Sequence, residues 1–208
     1  LDKYMDKEKN LNNLQLYFCY FLVGFFIYNM KITNELSNPD AIWNDAFYKK
    51  DRRWEASLGR FMISFLQSIR GNVVNTAVAT IMCLLLLSGV CLCVVNIFRI
   101  ESLVYKLIIG ALIIISPGIG STLTYYYCSD LYCLSYFLAV IAVYIMIVGK
   151  MKRKLSILLA CICLMLSMAI YQAYIVVAIS LCHMYLCCMI LQENSAPKKV
   201  IYKVYTFI

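Results

Sequence analysis

Residues 155–191 read LSILLACICLMLSMAIYQAYIVVAISLCHMYLCCMIL and contain no Asp, Glu, Lys or Arg. A helix needs about 17–25 apolar residues to cross the hydrocarbon core of a bilayer, so this run is too long for one crossing and long enough for two. The polar pair Tyr171-Gln172 marks the turn and divides the run into spans at 155–170 and 173–191. Further apolar runs at 14–28, 73–98, 103–116 and 131–148 are span candidates as well. The run 103–116 is short, and is expected to be tilted, re-entrant or packed inside the bundle. Hydrophobic residues make up 63% of the chain and the mean hydropathy is +0.77. Soluble domains use roughly 45–50% apolar residues, so a soluble domain is excluded. Backbone groups in lipid must pair internally, and no run alternates as a barrel strand would. The expectation is an all-α membrane protein, a multi-pass transmembrane helical bundle of about six spans.

The whole chain, 1–208, reads as a single integral membrane domain. No cleavable signal peptide is expected, because 1–13 is charged and no small-residue cleavage site follows the first run. The chain starts on Leu1 and stops in Tyr205-Thr206-Phe207-Ile208, an apolar run just beginning, which reads as the N-terminal part of a longer protein. Of the 11 cysteines, Cys83, Cys91, Cys93, Cys161, Cys163, Cys182, Cys187 and Cys188 sit inside apolar runs, where a thiol acts as a small hydrophobe. Their spacing does not match zinc sites. Cys128 and Cys133 flank Asp130 and are candidates for a disulfide if that loop is extracytoplasmic. His183, the single histidine, reads as a satisfied core residue.

Charge orients the bundle. The connection 149–154 carries Lys150, Lys152, Arg153 and Lys154 without an acid, which marks it as cytoplasmic. Counting back, 117–130, free of Lys and Arg, lies outside. The Arg99-Ile100-Glu101 connection is then inside, 30–72 is outside, and the N-terminus is inside. Segment 30–72 breaks the rule, because it holds Lys31, Lys49, Lys50, Arg52, Arg53, Arg60 and Arg70. Cations kept on an outer face beside a bilayer suit binding of a lipid phosphate.

Within 30–72, Asn38 can cap a helix whose first residue is Pro39, with Asp40 in its first turn. Further on, Trp54, Leu58, Phe61, Phe65 and Ile69 repeat at three- and four-residue spacing. They make one apolar stripe on a helix that would lie in the interface plane. Segment 30–72 is therefore an outer-face loop carrying interfacial amphipathic helices, with Asp40 and Arg60 facing a common space above the bundle. Equally open is a loop that packs on the bundle with its charges solvated.

Asn38-Pro39-Asp40, an aromatic stretch, and Trp54-Glu55-Ala56-Ser57-Leu58-Gly59-Arg60-Phe61 together resemble the type II glucosyl transferases of bacterial surface polysaccharides. So do Ile115-Ser116-Pro117, the run from Tyr125 to Asp130, Tyr136-Phe137-Leu138-Ala139-Val140, and Ser167 through Tyr174. The order and spacing of these pieces carry the resemblance from about residue 28 to 191. It implies a multi-pass glycosyltransferase of GT-C-like architecture in the cell membrane. The donor would be a polyprenyl-phosphate sugar such as the glucose form, and the acceptor a cell-surface glycan such as O-antigen, with transfer on the outer face. A flippase and a donor synthase are the implied partners, beside the lipid bilayer; no nucleic acid, cofactor or metal is implied.

On that resemblance, Asp40 is the first choice for the acid acting on the acceptor hydroxyl, with Asp130 as second choice or partner. Arg60 is the preferred phosphate contact, with Arg52 and Arg53 behind it, since a guanidinium engages two phosphate oxygens at once. Trp54 and Tyr126 would stack on sugar or prenyl chain, Glu55 would touch substrate, and Tyr171 and Gln172 would line the same cavity. The bland readings stay open: Asp40 as a helix-start residue, Asp130 as a solvated acid or cap, and the tyrosines 125–127 as an interfacial belt. Rival functions are a glycolipid or solute transporter or flippase, a polysaccharide polymerase, and a non-catalytic scaffold. Ion-coupled transporters keep ionisable groups near the midplane, whereas these spans are almost free of charge.

Overall fold

Asn12 starts the first helix by accepting a hydrogen bond from the Gln15 N–H at 2.8 Å, while the Gln15 side chain accepts from the Asn12 N–H at 3.0 Å. This reciprocal cap satisfies two donors that a helix start otherwise leaves bare. The computed structural model describes residues 11–34, 36, 39, 53–70 and 75–192, with the side chains of Arg53, Trp54 and Gln192 outside the described groups. All regular elements among the described residues are helical. They are α1 (Asn13–Ile27), α2 (Asn29–Asn34), α3 (Arg53–Ser57), α4 (Phe61–Ile69), α5 (Thr76–Ile97) and α6 (Leu103–Ile115). Then come α7 (Pro117–Thr124), α8 (Ser129–Ile147), α9 (Arg153–Ile170), a 3-10 turn (Gln172–Tyr174) and α10 (Ile175–Gln192).

The chain is a helical membrane protein. Among the described residues 4 helices are long and apolar enough to cross a bilayer, or 5 if α6 and α7 form one bent span. The expected count of about six is therefore not reached, for two physical reasons. At 15 residues, α1 is only about 22 Å long, less than a hydrocarbon core of about 30 Å. The run 103–116 ends at Pro117, which has no N–H to continue a helix and instead starts α7 at a bend of 44°. The turn expected at Tyr171-Gln172 is present, between α9 and α10.

Helix α5 is the centre of the bundle. Cys83, Leu87, Val90, Cys91 and Ile97 are fully buried on it, facing α8, α1 and α6 in turn. Close approach sets the α1–α6 contact: a Cβ on Gly110 would stand 2.1 Å from the Tyr20 ring. The Tyr20 hydroxyl donates to the Lys106 carbonyl at 2.9 Å. Helices α8 and α9 are joined by a buried hydroxyl exchange, in which Ser167 Oγ donates to the Ser135 carbonyl at 2.8 Å and Ser135 Oγ donates back to the Ser167 carbonyl at 2.9 Å. Interhelical bonds of this kind are each worth about 0.6 kcal/mol in a bilayer.

These pairings run α1, α6 and α9 antiparallel to α5 and α8. The ends of α1 and α6, the starts of α5 and α8, and the turn at 171–174 therefore share one end of the bundle. The connections 98–102 and 148–152 share the other.

The residues expected to form one amphipathic stripe do not lie on one continuous helix. Gly59 adopts φ +79 and ends α3. The Arg60 N–H reaches back to the Glu55 carbonyl at 2.8 Å and the Gly59 N–H to the Ala56 carbonyl at 3.0 Å, the paired bonds of a left-handed glycine cap. A new helix, α4, starts after Arg60. Its Phe61, Phe65 and Ile69 are 59%, 59% and 69% exposed, while Ile63 on the opposite side is buried against Leu131 and Ile170.

Cys128 and Cys133 are both free thiols, so the disulfide considered for them is not formed. Cys133 instead packs against Cys83 in the core. His183 is an exposed residue of α10 and not a core one; its Nδ1 lies 2.8 Å from the Ile179 carbonyl, one helical turn back.

Candidate functional site

At the end of the bundle that gathers α4, α7, the start of α8 and the 171–174 turn, the helices splay around a cleft of about 380 Å³. Arg60, Ser121, Thr122, Tyr125, Tyr127, Tyr132, Tyr171 and Tyr174 line it. Five rings, two small hydroxyls and one guanidinium face a common space. Among the described lining residues Arg60 is the sole cation and no carboxylate is present.

Each wall is built by its element. Gly59 turns the chain sharply, so that Arg60 begins α4 at the cleft instead of continuing α3. The guanidinium carbon of Arg60 lies 4.4 Å from the Tyr171 ring centroid, well inside the range of a cation–π contact. Tyr171 is extended, at φ −153 and ψ 109, where α9 stops, and that kink points its ring at α8. There it meets Tyr132 at a centroid distance of 4.5 Å, with Tyr174 at 5.5 Å on its other side. Tyr174 stacks in turn on Tyr136 at 5.3 Å, and its hydroxyl lies 3.4 Å from Thr122 Oγ1. The aromatic wall is thus one continuous ladder anchored on α7, α8 and α9.

A second cation closes the far end of α4. Arg70 pairs with Asp130 through Nη1 and Oδ2, and its Nη2 donates to the Tyr127 carbonyl at 2.8 Å. Gln67 Nε2 donates to the same carbonyl at 3.3 Å. The Arg70 and Asp130 side chains are 25% and 18% exposed, and neither lines the cleft. Asp130 Oδ1 and Arg70 Nε are buried without a hydrogen-bond partner among the described residues. Beside them, burial pushes the Cys128 thiol up to about 12, which leaves it protonated and unreactive near neutral pH.

Of the residues singled out from sequence, Arg60 and Tyr171 line the cleft. Gln172 stands behind its wall: Nε2 donates to the Leu58 carbonyl at 2.6 Å, and Oε1 accepts from Arg60 Nε at 3.4 Å. Tyr126 does not line the cleft and lies edge-on to Tyr127 at 6.4 Å. Glu55 is half-buried on α3, where its carbonyl takes part in the Gly59 cap. Asp40 lies outside the described residues, as do the side chains of Arg53 and Trp54.

Sequence reading missed Tyr132 and Tyr174, which look like ordinary apolar-run residues, and Arg70, which looked like one loop cation among several. Their available signal was tyrosines recurring within two turns of the run ends at 125–136 and 171–174.

A family model described as glucosyl transferase GtrII matches residues 30–208, which include every lining residue of the cleft. No curated protein and no solved structure matches the chain.

Proposed function

Because the chain belongs to the glucosyl transferase GtrII family, we propose that it moves a sugar, glucose first among the choices, from a polyprenyl-phosphate donor to a cell-surface glycan. The reaction is placed at the extracytoplasmic face of the cell membrane, on a GT-C-like scaffold. The observation that carries this reading is the cleft itself: one guanidinium set among five tyrosine rings. Ring faces suit the C–H faces of a pyranose, and a guanidinium suits a phosphodiester oxygen.

In this reading the bond between the sugar C1 and the phosphate oxygen breaks as a bond from C1 to the acceptor oxygen forms. The acceptor proton passes to a carboxylate, and negative charge grows on the departing lipid phosphate. Arg60 meets that charge where it develops. Tyr171 and Tyr132 hold the sugar, with Tyr125, Tyr127 and Tyr174 closing the cleft around it. Asp40 takes the acceptor proton. Asp130, held by Arg70 behind the cleft lining, is the second choice for that acid or its partner. Trp54, Glu55, Arg53 and Tyr126 flank the substrate path. A flippase that delivers the donor and a synthase that makes it are the partners this chemistry requires.

The placement on the outer face is supported by charge. Lys150, Lys152, Arg153 and Lys154 lie at the end of the bundle opposite the cleft, where cytoplasmic loops collect such residues. The test is transfer of labelled sugar from a polyprenyl-phosphate donor by the protein in proteoliposomes. Wild type should transfer and Asp40→Asn should not, at equal membrane yield; full activity in the variant would remove Asp40 from the mechanism. In cells, a Ser121→Cys variant should react with a membrane-impermeant maleimide added outside. Labelling confined to inverted vesicles would overturn the outer-face placement.

A further inference from the structure

We propose that Gln172 is a positioning residue that sets the Arg60 guanidinium for an anionic ligand, and that its side chain must be neutral to do so. This rests on the reading of the cleft as the site for a lipid-phosphate sugar.

The cleft has one cation among its described lining residues, so the direction of that cation decides what the site can hold. Arg60 sits between a left-handed glycine and the first turn of α4, where its backbone is fixed but its long side chain is not. Two groups from one turn orient it. The Tyr171 face supports the guanidinium from one side at 4.4 Å, and Gln172 Oε1 accepts from Nε at 3.4 Å. With Nε engaged there, the Nη groups form the fork left to meet two oxygens of a phosphate.

The other end of the same amide fixes the backbone that carries Arg60. Gln172 Nε2 donates to the Leu58 carbonyl at 2.6 Å, and a Cβ on Gly59 would stand 2.9 Å from that nitrogen. One side chain thus ties the turn before Arg60 and the head of Arg60 to the hairpin between α9 and α10.

Only an amide does both tasks, since it offers an N–H to Leu58 and an oxygen to Arg60. A carboxylate at 172 would lose the first contact and would hold Arg60 as an ion pair, cancelling the charge the ligand needs. The two substitutions therefore separate the roles. Gln172→Ala and Gln172→Glu both remove the bond to Leu58, so a purely structural residue makes them equal. A positioning residue makes Gln172→Glu the worse for an anionic ligand.

The experiment compares wild type, Gln172→Ala and Gln172→Glu in lipid nanodiscs, titrated with polyprenyl monophosphate, together with KM and kcat for sugar transfer. Gln172→Glu should weaken polyprenyl phosphate at least tenfold more than Gln172→Ala, with a raised KM and a smaller change in kcat. The unfolding temperature of Gln172→Glu should not fall below that of Gln172→Ala, because its ion pair with Arg60 is a contact that Ala lacks. In an Arg60→Ala background the difference between Ala and Glu at 172 should vanish, as a coupled pair requires. Equal affinities for the two variants in an active protein would overturn the positioning role and leave the transferase reading standing. A wild type that neither binds polyprenyl phosphate nor transfers sugar would overturn both.

Discussion

Arg60 and Arg70 bracket the same short helix, yet the protein uses them in opposite ways. Arg60 lines the cleft, rests on a ring face and has a neutral amide for company. Arg70 is turned away from the cleft and bound to the Asp130 carboxylate and the Tyr127 carbonyl. An aromatic face stabilises a cation without neutralising it, whereas a carboxylate cancels it. The first arrangement leaves a charge to offer a ligand. The second uses the charge to fasten α4 to α8. Position along the chain does not separate the two roles; the neighbour each guanidinium meets does.

The sharpest way to break this comparison is at Arg60. Arg60→Ala should lower sugar transfer by about 10²–10³-fold, the usual cost of losing one donor aimed at developing charge. Its unfolding temperature should be nearly unchanged, and Arg60→Lys should recover part of the rate because a point charge lacks the second hydrogen bond. Rates from labelled polyprenyl-phosphate sugar, read beside thermal unfolding in detergent, check both parts.

The same substitution at Arg70 should show the reverse pattern. Arg70→Ala leaves the half-buried Asp130 carboxylate without its cation, at a cost of about 1–3 kcal/mol of stability. The double variant Arg70→Asp with Asp130→Arg should restore much of that stability. A stable Arg70→Ala protein would mean that the pair does not fasten α4.

A third cation gives the smallest and most informative contrast. Lys31, on α2, is only 5% exposed, and its Nζ donates to the Leu36 carbonyl at 2.9 Å. Burial pulls its ammonium below the ordinary lysine range. Between the lowered folded value and the normal unfolded one, the unfolded chain binds more protons, so stability should rise with pH through that window. Lys31→Met should flatten this rise and add about 1 kcal/mol near neutral pH, because a buried charge gives way to an apolar group. Thermal unfolding followed from neutral pH toward 10 would test the sign. A steeper rise in the variant would contradict it.

Much of the architecture was legible because span formation is a local property. Residues 155–191 announce a hairpin by length and by one polar pair. The stripe of Leu58, Phe61, Phe65 and Ile69 was legible for the same reason. Its division at Gly59 was not, since glycine inside a helical period is tolerated as often as it ends a helix. Arg60 was singled out because guanidinium chemistry beside a bilayer points to phosphate, and the structure sets it in the cleft lining. Tyr132 and Tyr174 were not found, because within an apolar run a tyrosine that lines a cleft reads the same as one that faces lipid.

By itself the sequence determined that this chain is a helical membrane protein, where its apolar runs lie, and that its polar chemistry is collected at loops. Those outcomes follow from hydropathy, capping and proline, all of which act within a few residues. Only the tertiary structure decided which of the described cations in 30–72 stands in the cleft. Arg60 meets Tyr171 and Gln172 across more than a hundred residues, and Arg70 meets Asp130 across 60. Contacts of that range are chosen by how α4 seats on α8 and α9 through Ile63, Leu131 and Ile170, a packing match that no local pattern encodes.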